Sequence, residues 1–267
     1  MLEDDLQTQF NGFYHTPHLF SEEIMGMSPL ITQVSQTPKF QFESIKNLRL
    51  GQRVERFVSQ ELLLVESIKF LAENCQIQNE KITIGELDGL YIIDGIPTHL
   101  EIQFKFYLYD ESLGETEIER CIGPMRKDSL VEKLTKLKEK QLPLLYSQYT
   151  VPLLQKLKLD TEQIKQNIYF KAQIFKPLNN DTLFKTLNNN CVYGFYFNYK
   201  DLGKFRDCKF YKPIKVDWLA NVDCNTEWQT YEQILPQLKI YETEKYAPLL
   251  WLKKPNDELH KCFVVPW

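Results

Sequence analysis

A predicted β-hairpin over residues 82–109 is the feature that most constrains how this chain can fold. Two β-rich runs, ITIGELDGLYII and IPTHLEIQFKFYLY, lie on either side of Asp94-Gly95. An Asp-Gly pair between such runs is a strong signal for a two-residue type I′ turn, in which both residues take positive φ. The turn also sets the pairing of the strands, because Ile93 must lie opposite Ile96. This register places Asp88 directly opposite Glu101.

Alternation of side chains along the two strands gives the hairpin one apolar face and one polar face. The polar face carries Glu86, Asp88, His99, Glu101, Gln103 and Lys105. Two carboxylates opposite each other repel and destabilise a sheet unless something offsets the repulsion. Solvent exposure, the nearby lysine or a bound divalent cation would each do so.

The polar face therefore has two interpretations. An antiparallel hairpin with one face in water is common. The alternative is a Mg²⁺ (or Mn²⁺) site, because such cations take one or two carboxylates together with water and phosphate oxygens. In that interpretation Asp88 and Glu101 are the metal ligands and Lys105 stabilises negative charge or orients a water molecule, an arrangement suited to phosphodiester hydrolysis. His99 is expected to form a hydrogen bond beside the site rather than to bind the metal.

A helix predicted over residues 50–74 precedes the hairpin, because apolar residues recur there at helical spacing. Glu61 lies inside the apolar stripe and Glu55 borders it. A buried acid needs a partner. If the helix packs on the polar face of the hairpin, one of these glutamates reaches the Asp88–Glu101 pair. The alternative for each glutamate is a salt bridge to Arg53, Arg56 or Lys69.

The remaining pattern indicates one α/β domain over residues 41–267, preceded by an irregular N-terminal arm over residues 1–40 that contains several prolines. A second helix is predicted over 128–142, where Ser129 and Glu132 form a capping box, and a third over 227–242. Five further strands are predicted over 167–177, 191–199, 209–219, 248–253 and 261–266.

Composition excludes several classes of protein. The net charge of −4 argues against a protein that coats nucleic acid through bulk charge. Six cysteines without a CxxC pair, and only four histidines, argue against a Cys/His zinc site and favour a reduced, cytoplasmic protein. No apolar run approaches the roughly 18 to 20 residues that span a bilayer, so no membrane association is expected.

A group of basic residues predicts contact with a nucleic-acid backbone. Lys133, Lys136 and Lys140 recur along the second predicted helix, and Arg126 and Lys127 precede it. Two glutamates interrupt the stripe, and lysine-rich helix faces are more often simply solvated. DNA or RNA is thus an expected partner only if the hairpin carries a nuclease site.

These features resemble the core of the PD-(D/E)XK nuclease superfamily. The resemblance is carried by a helix with Gly51 and Glu55, a strand that ends in Asp88, and a next strand with Glu101 and Lys105. It implies a mixed β-sheet flanked by helices, with a restriction-endonuclease-like core over about residues 50–145 and an aromatic, β-rich C-terminal half. It also implies Mg²⁺ held by the two strand carboxylates and a helix glutamate that positions water or metal.

More narrowly, the chain is similar to an uncharacterised bacterial family known only as domain of unknown function 1853. The similar stretches are LGQRVERF, TIGELDGLYI with HLEIQFKFYL, IGPMRKDSLVEKL with KQLPLL, and the tail KCFVVPW. That family implies no established activity. Gln141, in the third stretch, resembles a polar residue that some members of the nuclease superfamily place near the metal.

One departure from the nuclease signature leaves two functions open. The signature has its acid and lysine two residues apart, whereas Glu101 and Lys105 are four apart. Gln103 occupies the intervening position, so either Gln103 replaces the acid or Glu101 is the ligand. The leading hypothesis is a Mg²⁺-dependent nuclease. The alternative is a catalytically inactive binding or interaction module on the same fold.

Overall fold

The computed structural model describes residues 2–32, 37–41 and 48–267, with the backbone alone for residues 2–5. The helices are α1 Leu2–His15, α2 Leu50–Leu63, α3 Leu130–Lys136, α4 Val151–Leu157 and α5 Tyr231–Thr243. The strands are β1 Ser28–Pro29, β2 Ile68–Asn79, β3 Ile82–Ile93, β4 Ile96–Tyr109, β5 Cys121–Ile122, β6 Lys165–Pro177, β7 Val192–Asn198, β8 Lys209–Tyr211, β9 Leu249–Lys253 and β10 Leu259–Val265.

The strands form a single sheet in the order β2-β3-β4-β6-β7-β10-β9-β8, with β1 paired to β6 and β5 paired to β4. The central pairs β4–β6, β6–β7 and β7–β10 are parallel. The outer pairs β2–β3, β3–β4, β9–β10 and β8–β9 are antiparallel. The protein is therefore α/β, with a mixed sheet flanked by helices, as predicted.

The predicted hairpin is confirmed in its bounds and its register. Asp94 and Gly95 have φ of 51° and 80°, as a type I′ turn requires. The ladder runs from the Ile93–Ile96 pair to the Gly89–Leu100 pair. β4 then continues in parallel with β6 on its other side as far as Leu108. Past Leu100, β4 therefore has a free edge where β3 has left it.

Helices α1 and α2 cover one face of the sheet at β4, and α3 covers the other face there. Phe10 and Phe13 of α1 and Phe57 of α2 pack in one core cluster with Phe104 and Phe106 of β4. On the opposite face, Leu130, Leu134 and Leu137 pack against Tyr107 and Tyr109. Side chains of β4 alternate between the two faces. Phe104 and Phe106 therefore point to α1 and α2, whereas Tyr107 and Tyr109 point to α3.

Several local predictions are wrong. Helix α2 ends at Leu63, and residues 68–74 belong to β2. They pair with β3, whose ladder satisfies their backbone groups. Helix α1 lies in the segment predicted to be irregular, while residues 33–36 of that segment are outside the described chain. The strand predicted over 209–219 ends at Tyr211, and a 3₁₀ turn covers Lys215–Trp218.

The other elements agree closely with the predictions. β6, β7, β9 and β10 lie within two residues of the predicted strands, and α5 covers most of the third predicted helix. Ser129 caps α3 through the predicted capping box with Glu132. The second predicted helix continues beyond α3 as a π turn over Leu137–Gln141, which ends just before Pro143.

Candidate functional site

The site forms where β3 and β4 separate. Asp88 lies immediately beyond the last β3–β4 pair, Gly89–Leu100, on the side where the two strands separate. Its Oδ2 accepts a hydrogen bond from the backbone N–H of Ile102 at 2.8 Å. A side-chain oxygen thus replaces the backbone acceptor that a continued ladder would provide. Gly89 leaves room for the Tyr91 ring, because a Cβ there would lie 2.3 Å from it. Asp88 is consequently held at the free edge of β4.

Glu101 is fully buried and oriented by hydrogen bonds on both of its oxygens. His99 Nε2 lies 2.9 Å from Oε1, and Gln141 Nε2 donates to Oε2 at 2.5 Å. Gln166 donates to His99 Nδ1 at 3.0 Å, so His99 donates to Glu101 through Nε2. Burial lowers the pKa of His99 to about 4, so the ring is neutral. The hydrogen-bonding role predicted for His99 is confirmed.

The carboxyl groups of Asp88 and Glu101 are neighbours, because each acts on the pKa of the other. Burial, and then the charge of Glu101, raises the pKa of Asp88 to about 7. Burial also raises the pKa of Glu101 to about 7. The pKa of Glu55 rises to about 7 through burial, Asp88 and Glu86. These acids gather without enough positive charge to keep all of them ionised at neutral pH.

Helix α2 delivers Glu55 from the face opposite to the one predicted. Val54 of α2 packs with Phe104 and Phe106, on the apolar face of β4. The expectation that this helix covers the polar face is therefore wrong. Glu55 nevertheless lines the same cleft as Asp88, because the free edge of β4 connects the two faces.

Lys133 of α3 provides an ammonium group beside the acid pair. Its Nζ donates to Gln141 Oε1 at 2.9 Å, so a chain of side chains runs from Lys133 to Glu101. Burial, and after it the charges of Lys136 and Lys105, lowers the pKa of Lys133 to about 8. The charges of Asp88 and Glu101 oppose this shift. The π turn that ends at Gln141 brings the amide to the metal-candidate pair. π turns frequently occur at functional sites.

Lys105, which the sequence assigned a role beside Asp88 and Glu101, forms its salt bridge elsewhere. Its Nζ forms a salt bridge with Asp128 at 2.8 Å, and its side chain is 32% exposed. The carboxylate that pairs with Lys105 is therefore Asp128, which lies just before α3, and not Asp88 or Glu101. Gln103 lines the same cleft on the way to Lys105.

Glu61, the second glutamate of α2, is absorbed by a separate buried network. Its Oε2 accepts from Lys171 at 2.8 Å and from Tyr169 at 2.9 Å, and Oε1 accepts from Thr32. The predicted partners Arg53, Arg56 and Lys69 do not form this bridge. The correct partner is far away in sequence, on β6.

The basic residues predicted to contact nucleic acid have different surroundings. Arg126 pairs with Asp110 and stacks over the Trp267 ring at 3.8 Å from its centroid. Lys133 belongs to the acid site. Four members are exposed, Arg126, Lys127, Lys136 and Lys140.

Sequence reasoning missed three polar residues of this region. Glu73 was assigned to a helix, but on β2 its Oε1 accepts from Ser59 at 2.6 Å and from Tyr91 at 3.1 Å. Gln166 and Asp128 also carry no local motif. Their only signal was polar character next to predicted strands and a predicted helix, which is too common to be informative.

A cleft of about 490 Å³ opens beside the acid pair. Glu55, Asp88, Gln103 and Lys105 line its polar end. Within the described part of the chain, no group of three or more His, Cys, Asp or Glu residues is placed to hold a metal ion. Mg²⁺ needs only one or two carboxylates beside water and substrate oxygens. The donor set of Asp88 and Glu101, with its surplus negative charge, therefore fits Mg²⁺.

Comparison with known proteins identifies a family. A family model described as Domain of unknown function (DUF1853) matches residues 21–265, and the chain therefore belongs to that family. No curated protein and no solved structure matches the chain. In the described residues, no helix has the length and apolar character needed to cross a membrane.

Proposed function

We propose that this member of the DUF1853 family is a nuclease that hydrolyses phosphodiester bonds of DNA or RNA with Mg²⁺ or Mn²⁺. The observation that carries the proposal is the neighbouring Asp88–Glu101 pair at a free strand edge, where Asp88 lines a cleft and Glu101 is buried behind it. Both carboxyls have a pKa of about 7, so the folded chain holds them together at a cost. A bound divalent cation would remove that cost.

The donor set and its supports fit an enzymatic role for each side chain. A bound Mg²⁺ would act as a Lewis acid on the phosphate and lower the pKa of a coordinated water. Asp88 and Glu101 would hold it, with Glu101 oriented by His99 and Gln141. Such supporting hydrogen bonds fix the orientation of a metal ligand.

The remaining charged residues complete the chemistry. Glu55, with a pKa of about 7, is matched to accept a proton from the attacking water near neutral pH. Lys133, whose Nζ donates to Gln141 beside the acid pair, would donate to a non-bridging phosphate oxygen and stabilise the charge of the transition state. This role, which the sequence assigned to Lys105, moves to α3 because Lys105 is held by Asp128. The likeness to the PD-(D/E)XK core supports the same activity.

The compartment is part of the same proposal. All six cysteines are free thiols, which supports a reducing, cytoplasmic environment. The bacterial origin rests on the resemblance of the sequence alone.

A binding module without catalysis is the second candidate. The pairing of Lys105 with Asp128 favours it, because the lysine of the nuclease signature is then engaged elsewhere. Such a module would show no cleavage of any DNA or RNA form with either metal.

A melting experiment tests the metal site. Millimolar Mg²⁺ or Mn²⁺ should raise the melting temperature of the wild-type protein, since a ligand of the native state stabilises it. Asp88→Ala should remove the shift, and Glu162→Ala, an exposed acid outside the cleft, should retain it. Cleavage of single- and double-stranded DNA and RNA is then measured with the same metals. A wild-type melt that ignores both metals would remove the basis of the proposal.

A further inference from the structure

The cleft continues from the acid pair to a second end with a different character. Along β4 it passes Phe104, Lys105 and Phe106, and it ends against Met125, Trp218, Tyr246 and Ala247. Trp218 packs edge-on against Phe106, with ring centroids 5.4 Å apart. Tyr246 is the half-exposed aromatic residue of this end. The far wall is thus apolar and aromatic, whereas the near wall is acidic.

Two lysines lie between the two ends around a single carboxylate. Lys105 Nζ contacts Asp128 Oδ2 at 2.8 Å. Lys215 Nζ lies over the Trp218 ring, 3.3 Å from its centroid, and lines the same cleft. The charges of Asp128 and Lys105 both act on the Lys215 pKa, so all three groups are neighbours. One carboxylate leaves a net positive charge here, which suits a phosphate group.

The dimensions of the cleft restrict what can fill it. From Glu101 to Phe106 the strand advances about 16 Å at roughly 3.3 Å per residue. The volume of about 490 Å³ lies in the range that encloses a small-molecule ligand. A stacked base pair presents only its edges, so a duplex cannot insert a base face into such a recess. An unpaired nucleotide can place its base against aromatic rings and its phosphate against a cation.

We infer that the far end of this cleft binds an unpaired nucleotide beside the phosphate to be cleaved, so that the substrate class is single-stranded nucleic acid. Tyr246 and the neighbouring apolar wall contact the base. Lys215 binds the adjoining phosphate, while Lys105 balances the charge of Asp128 beside it. The inference rests on the proposed nuclease function for the position of the acid pair, but it concerns binding and is tested by binding.

The test measures affinity without requiring cleavage. Fluorescence anisotropy of a short labelled oligonucleotide is recorded in Ca²⁺, a hard cation that takes the same oxygen ligands. Single strands of DNA and of RNA are compared with a blunt duplex of the same sequence, over a range of salt concentrations. The single strand should bind at least about tenfold more tightly than the duplex, and the two single-strand arms show which sugar is preferred.

Four variants locate the contact. Lys215→Ala should weaken single-strand binding and reduce the slope of log affinity against log salt by about 0.7, the value for one phosphate contact on a single strand. Lys239→Ala, an exposed lysine on α5 outside the cleft, should leave the slope unchanged. Tyr246→Ala should lower affinity at least about fivefold, as loss of one stacked base does, and Tyr246→Phe should restore it.

The outcomes separate this inference from the proposed function. Equal or tighter binding of the duplex, or an unchanged salt slope in Lys215→Ala, would overturn the single-strand assignment even if the protein cleaves DNA with Mg²⁺. Preferential single-strand binding that depends on Lys215 and Tyr246, without cleavage under any metal, would support the assignment and remove the nuclease proposal.

Discussion

Helix α2 carries two glutamates that end in opposite environments. Glu61 is almost fully buried, yet its oxygens are satisfied by Lys171, Tyr169 and Thr32. Glu55 is only half buried, yet its pKa is raised to about 7. The more deeply buried of the two glutamates is therefore not the one that lines the cleft. The difference lies in the neighbours, which are an ammonium and hydroxyls in one case and further carboxyls in the other.

Helix α2 therefore carries one glutamate with a full set of hydrogen-bond donors, Glu61, and one that lies among other acids, Glu55. Both oxygens of Glu61 accept hydrogen bonds, and Lys171 also donates to the Tyr14 carbonyl, so hydrogen bonds hold this ion pair inside the core. The acid cluster at Glu55 and Asp88 is left short of positive charge and faces a cleft. Perturbed carboxyls of that kind are characteristic of sites that bind a cation or move a proton.

The largest effect, on stability, is expected when the buried Lys171–Glu61 ion pair is broken. Lys171→Met leaves Glu61 buried without its cation, which should lower the free energy of unfolding by about 3–5 kcal/mol. Urea denaturation measures the loss, which should be the same with and without Mg²⁺. The double variant Glu61→Leu with Lys171→Met should recover most of the stability. A loss below about 1 kcal/mol in the single variant would show that the pair is not the structural unit assumed here.

Removal of the site ammonium should affect rate rather than stability. Lys133→Ala is expected to lower the cleavage rate about 100- to 1000-fold, as loss of one group that stabilises transition-state charge does. The metal-induced rise in melting temperature should remain, because an ammonium is not a metal ligand. Lys136→Ala, exposed on the same helix, is the matched control. Unchanged cleavage in Lys133→Ala would return the role to Lys105.

The smallest effect concerns the acid pair without metal. A carboxyl whose folded pKa is raised contributes stability at low pH that is lost as the pH rises through that pKa. For Asp88 this window runs from about 4 to about 7. Asp88→Asn keeps an acceptor for the Ile102 N–H, so it should stabilise the protein by about 1 kcal/mol above that window and not below it. Chemical denaturation at a pH on each side checks the sign, and equal stability of both proteins at high pH would contradict it.

Local sequence was sufficient for the central part of the candidate site. The Asp94-Gly95 turn depends on backbone conformations that these two residues favour, so the register of β3 and β4 followed from neighbours in the chain. That register ends at Gly89–Leu100 and brings Asp88 and Glu101, the next residue of each strand, beside each other where the strands separate. The capping box at Ser129 is likewise a contact between residues three apart.

Long-range packing settled the features that the pattern misassigned. Residues 68–74 have apolar residues compatible with a helix, and pairing with β3 made them a strand. Three features depend on elements that are distant in sequence. They are the helix that covers each face of β4, the ion pair of Glu61 with Lys171, and the position of Lys133 near Asp88 and Glu101. Periodicity describes which side of an element is apolar, but not which partner meets it. The charge balance of a buried carboxylate is set by that partner, so it can be read only once the chain is folded.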